Sequence, residues 1–158
     1  MNQLHAFQQA IGEFWIPTIY ETKIRKMRTR SFELAVPERE NSPEIMHTLL
    51  GVELKIGRKR MACPDLSTAR YLQIFARIGC RNVAVPYDIT VISSIADELE
   101  TAWHRTVLII EEFNRDSTPQ AKGRMRSQVI RAMREEIAKI GAGTNMPLFN
   151  KSTKQRED

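Results

Sequence analysis

The chemistry this sequence could do is concentrated in three runs of basic side chains. The first, Lys23, Arg25, Lys26, Arg28 and Arg30, packs five cations into eight residues with no acid among them. Lys55, Arg58, Lys59 and Arg60 form the second, and Lys122, Arg124, Arg126, Arg131 and Arg134 the third. Such arrays can follow the phosphates of DNA or RNA, and the guanidinium's planar fork suits two phosphate oxygens at once. The competing reading is that each run is a solvated face or pairs with acids such as Glu111, Glu112, Glu135 and Glu136; three runs together favour a composite basic surface. Nothing here reads base edges. There is no zinc-finger spacing, no aromatic stacking pattern on strands and no helix-turn-helix. The expectation is therefore a nucleic-acid-associated protein that grips the backbone without strong sequence selectivity, through Arg25, Lys26, Arg28, Arg30, Arg58, Lys59 and Arg60.

A second constellation is acidic. Asp65 follows one candidate strand, and Tyr87 with Asp88 follows another. If those strands were parallel neighbours, both carboxylates would leave the sheet at one edge, where ligand sites of open α/β sheets gather. With Ser67 and Thr68 they could hold a divalent metal such as Mg through oxygen ligands, and serve a metal-dependent nuclease or phosphodiesterase. The plainer alternative is that each aspartate caps the helix it precedes. Glu53-Leu54-Lys55 has the acid, spacer and lysine found in metal-dependent nucleases of the PD-(D/E)xK type, but Glu21-Thr22-Lys23 fits equally. The upstream acid is not evident, and Pro64-Asp65 comes after the triplet rather than before it. Asp97, Glu100, His104 and Glu111 share a helical stripe without the paired Glu-x-x-His of di-iron bundles, which reads as a solvated face. His5 and His47 are isolated, and Gly141-Ala142-Gly143 follows a helix, so it is a terminator rather than a phosphate loop.

The elements that must position these groups are read from periodicity. Over 88–114, Ile92, Ile95, Leu99, Trp103, Thr106, Ile110 and Phe113 recur at helical spacing, with Asp88 as cap and Asn114 as stop. Around Val107 to Ile110 the apolar stripe spans the whole circumference, which implies neighbours on nearly every side. The helix would be about 39 Å long at 1.5 Å per residue, long enough for part of it to serve a partner, a homodimer or a helical scaffold. A second long helix is expected over 119–140, capped by Ser117 or Thr118, with Met125, Val129, Met133, Ile137 and Ile140 inward. A short amphipathic helix over 2–15 places Leu4, Phe7, Ile11 and Phe14 on one side and ends at Pro17. A strand begins near Ile24 and runs through Phe32, Leu34 and Val36. Ser42-Pro43-Glu44 looks like a helix start, giving helix over 43–50, followed by a strand or hairpin over 52–63. Lys59 to Cys63, a helix capped at Ser67 and closed by Gly79, and a strand at Val83 and Val85 make a strand-helix-strand unit. The resulting class is mixed α+β: a small sheet covered by helices, with a C-terminal pair of long helices.

With 158 residues the chain can bury a core as a single domain over 1–150. Met146, Leu148 and Phe149 are expected to dock, and 151–158 to form a disordered polar tail. Net charge is +5, from 24 basic and 19 acidic residues. Cys63 and Cys80 lack CxxC spacing and read as reduced thiols. The N-terminus has no positive n-region before an apolar core, and no run of eighteen apolar residues occurs, so a cytoplasmic protein with no membrane span is expected.

Overall fold

The computed structural model describes residues 3–35 and 43–143. Met146, Leu148, Phe149 and the tail over 151–158 lie outside them, as do Val36 and Ser42. The architecture is mixed α+β. In chain order it comprises α1 (Gln3–Ile11), α2 (Ile16–Ile19), β1 (Thr29–Glu33), β2 (Glu44–Thr48), β3 (Gly51–Ile56), β4 (Lys59–Cys63), α3 (Leu66–Ile78), β5 (Asn82–Pro86), α4 (Ile89–Phe113) and α5 (Pro119–Ile140).

The two long helices form as their periodicity requires. α4 starts at Asp88, whose carboxylate accepts the Thr90 amide, and stops at Asn114; α5 starts at Thr118, whose hydroxyl accepts the Ala121 amide, with Pro119 in its first turn. They are joined by a short turn and meet through Asn114, which donates to Ile110 O and lies 3.1 Å from Met125 Sδ. α5 also reaches α1 and the start of α2, where Glu136 accepts from Gln8 Nε2 at 3.4 Å and from Trp15 Nε1 at 2.9 Å. The C-terminal half of α4 is less enclosed than its composition implies: Ile110 is buried and Val107 and Ile109 half-buried, but Leu108 is 53% exposed. α3 is the more enclosed helix, with Tyr71, Leu72, Phe75 and Ile78 wholly buried and Gly79 ending it at φ 88°.

Three segments differ from expectation. α1 stops at Ile11 because Gly12 turns the chain at φ 58°, and Pro17 opens α2 rather than ending α1, its missing N–H being harmless in a first turn. Tyr20–Ile24 then continues helically, so the strand begins at Thr29 instead of near Ile24. Over 43–50 the chain is a strand, not a helix. β2 pairs antiparallel with β3 from Glu44↔Lys55 to Thr48↔Gly51, and ladder bonds outweigh a local helix-start signal. Gly51, at φ 126°, absorbs the reversal, while Thr48 Oγ1 accepts the Leu50 amide and donates to Gly51 O. The turn leaves Leu49 and Leu50 almost wholly exposed.

The hairpin expected over 52–63 is β3–β4. Strand, helix and strand do follow one another as β4, α3 and β5, but the two strands are not neighbours. β2-β3-β4 form one antiparallel sheet, and β1 pairs antiparallel with β5 in another. β5 is buried along Val83, Ala84 and Val85. Its edge away from β1 is closed by side chains: the Ala84 amide donates to Tyr20 Oη at 3.0 Å, and Tyr71 Oη donates to Ala84 O at 2.6 Å. Tyr20 Oη in turn donates to Gly141 O at 2.7 Å.

Candidate functional site

The first basic run is divided by its own backbone. Lys23 and Arg25 sit at the end of the helical turn: Lys23 pairs with Glu98 of α4, and Arg25 Nη1 donates to Thr29 Oγ1 at 3.0 Å and Gly143 O at 2.8 Å. Both are engaged within the fold, Lys23 through an exposed ion pair. Lys26, Arg28 and Arg30 are exposed. Residues 28, 30 and 32 share one face of an extended chain, and the register that sets Thr29 against Pro86 brings Tyr87 beside Arg28, its amide donating to Arg28 O at 3.1 Å. The result is an alternating ladder of cations and rings. The Arg28 guanidinium lies 4.7 Å from the Tyr87 ring centre; that of Arg30 lies 4.6 Å from Phe32 and 5.8 Å from Tyr87. The Tyr87 residue is 46% exposed. Among the described residues neither arginine has a carboxylate partner.

In the second run, Arg58 lies in the β3–β4 turn, where Gly57 takes φ 62°, and Lys59 and Arg60 lead into β4. Lys55 stands across the ladder from Arg60, and Arg60 Nη1 is 3.5 Å from Glu53 Oε1. The two form an ion pair, although the buried Glu53 oxygen makes no hydrogen bond. Glu53 and Lys55 thus sit among cations rather than beside a second acid. A cleft of about 310 Å³ lies between Leu34 and Ala35, just beyond β1, and Lys59 and Arg60 of β4. Glu33 also lines that cleft, and Arg28 and Arg30 do not. The third run disperses: Lys122 pairs with Glu111, Arg126 lies 5.8 Å from the Trp103 ring centre, and Arg134 Nε donates to Ile78 O at 3.0 Å.

The acidic constellation does not share a sheet edge, because β4 and β5 belong to different sheets. Asp65 accepts the Thr68 amide at 2.7 Å and Asp88 accepts both the Thr90 amide and hydroxyl, so each caps its helix. Those Thr90 bonds, hydroxyl first, hold the Asp88 carboxyl below its usual value. Among the described residues no group of three or more His, Cys, Asp or Glu is placed to hold a metal ion. Asp97 and Glu100 instead grip Arg70 of α3, Glu100 in a fork at 2.9 and 2.7 Å. Their bonds push the Arg70 guanidinium's pKa up. Cys63 and Cys80 are buried and unpaired; burial raises both thiols, Cys80 to about 12. Asp65→Ala is expected to cost about 1 kcal/mol in urea unfolding, the usual worth of an N-cap.

Tyr87 and Phe32 are the site residues that sequence reasoning missed. Arg28, Arg30 and Phe32 already carry the two-residue period of a strand face. Tyr87, one residue beyond the end of β5, joins them only through the antiparallel register of β1 with β5. Comparison with family models, with curated proteins and with solved structures finds no match, which leaves the geometry of the site as the basis for its function.

Proposed function

We propose that this protein binds the phosphate backbone of nucleic acid, without strong sequence selectivity, through Lys26, Arg28 and Arg30, with Arg58 and Lys59 extending the surface and Arg60, ion-paired with Glu53, at its margin. The observation that carries this reading is the pairing of Arg28 and Arg30 with rings instead of carboxylates. A ring holds a guanidinium in place without using its N–H donors, which stay available for phosphate oxygens. An arginine neutralised by a carboxylate would have to break that pair first. The remaining expected contact, Arg25, is assigned a supporting role, since it ties the turn before β1 to Thr29 and Gly143.

The test is fluorescence anisotropy with a labelled oligonucleotide at about 50 mM salt. Arg28→Glu combined with Arg30→Glu is expected to weaken binding tenfold or more, because two phosphate contacts become repulsions. Arg124→Glu combined with Arg131→Glu, an equal change of net charge at exposed sites on α5, is expected to change it by less than threefold. Equal losses in both pairs would mean that total charge alone attracts the ligand. The alternative reading is a protein-binding scaffold, favoured by the exposed Leu49 and Leu50; it expects no effect from either pair.

A further inference from the structure

Resting on the phosphate-binding reading, we infer that the β1 ladder is built for single-stranded nucleic acid and stacks unpaired bases on Tyr87 and the guanidinium planes beside it. In the ladder Phe32, Arg30, Tyr87, Arg28 both arginines are exposed, Phe32 is half-buried and nearly half of Tyr87 is open to water. Bases stack on aromatic faces and on arginine planes alike. A duplex offers no base faces, only phosphates and groove edges. A two-stranded ribbon can read a duplex by entering its major groove, which requires both strands to be accessible. Here the partner strand is not. β5 is buried along Val83 to Val85, and its outer edge is occupied by the Tyr20 and Tyr71 hydroxyls. β1 can therefore be approached from its solvent face but cannot be inserted, a geometry that suits a strand laid across it.

Three probes of equal length decide the matter: a twelve-nucleotide thymidine oligomer, an abasic deoxyribose-phosphate oligomer and a twelve-base-pair duplex. Wild-type protein is expected to bind the thymidine oligomer about tenfold more tightly than either of the others, since one stacked base contributes roughly 1–3 kcal/mol and about 1.4 kcal/mol is tenfold. Tyr87→Ala is expected to abolish that preference: affinity for the thymidine oligomer falls to that for the abasic oligomer, which itself weakens by a smaller factor because the same ring holds the Arg28 and Arg30 guanidiniums. Tyr87→Phe is expected to keep the preference, because the ring and not the hydroxyl does the stacking. Thermal melting of both variants confirms that each is folded. Equal binding of all three probes, with Tyr87→Ala neutral, would overturn the stacking inference and leave the phosphate reading standing. Loss of the preference in Tyr87→Phe would assign it to the hydroxyl and overturn stacking as well. No binding of any probe would remove the phosphate reading and this inference with it.

Discussion

Phe75→Ala is expected to lower the stability of the protein by about 3–5 kcal/mol, the usual cost of deleting a buried phenyl ring. Phe75 is wholly buried on α3, and its ring lies 5.5 Å from that of Tyr20 and 5.2 Å from that of Tyr71. It fills the space between the two tyrosines whose hydroxyls close the edge of β5. The cavity left by alanine would loosen both of them, and β1 depends on β5 for its register. The loss should therefore appear as a lower urea midpoint with little change in slope and, on the proposed function, also as weaker nucleic-acid binding at temperatures where the variant is still largely folded. A change below about 1 kcal/mol would mean that the site collapses around the missing ring and that Phe75 does not hold the tyrosines.

Tyr20→Phe keeps the ring and removes only the oxygen, and is expected to cost about 1–3 kcal/mol. That oxygen accepts from the Ala84 amide and donates to Gly141 O. Without it a buried strand N–H has no partner, which is the expensive outcome for a backbone group. Tyr71→Phe orphans only the Ala84 carbonyl, and should cost less. Both hydroxyls have pKa values raised, in each case chiefly by burial, Tyr71 most strongly. A neutral group held that way contributes stability that is complete below the ordinary tyrosine value near 10 and is lost as pH rises from there towards the raised folded value. The wild-type protein should accordingly begin to lose stability at about pH 9, the ordinary thiol value, because Cys80 is pushed up to about 12, and lose it more steeply above about pH 10 as the tyrosines add to the loss. Tyr20→Phe with Tyr71→Phe should flatten that alkaline decline, and an unchanged slope would show that other groups govern it.

The parts of the fold that could be read from the sequence are those set by neighbours in the chain. α4 and α5 begin and end where caps and stops demand, and their buried faces follow Ile92, Leu99 and Ile110 and Met125, Val129 and Ile137. Asp65 and Asp88 behave as the capping rule says. What was hidden depends on residues far apart in sequence. Pro43-Glu44 carries a local helix signal, yet Ile45 opposite Leu54 makes it a strand. Lys59 to Cys63 and Asn82 to Pro86 are separated by a helix of the right length for a parallel crossover, but each finds an antiparallel partner elsewhere. The same cause explains the site. Charge spacing located Arg28 and Arg30, while their partner Tyr87 lies just after β5, more than fifty residues away, and is brought in by a register that no local pattern encodes.

The most direct measurement is the affinity of the wild-type protein for a labelled single strand, followed from about 50 to 300 mM salt. Neutralising phosphates releases counterions, and for single strands the logarithmic slope is about −0.7 per contact. Engagement of Lys26, Arg28 and Arg30 with part of the second basic run is expected to give a slope of roughly −2 to −4, reduced by about 1.4 in the Arg28→Ala, Arg30→Ala double variant. Binding that is independent of salt, or a slope that the double variant leaves unchanged, would contradict a phosphate-binding role for this face of β1.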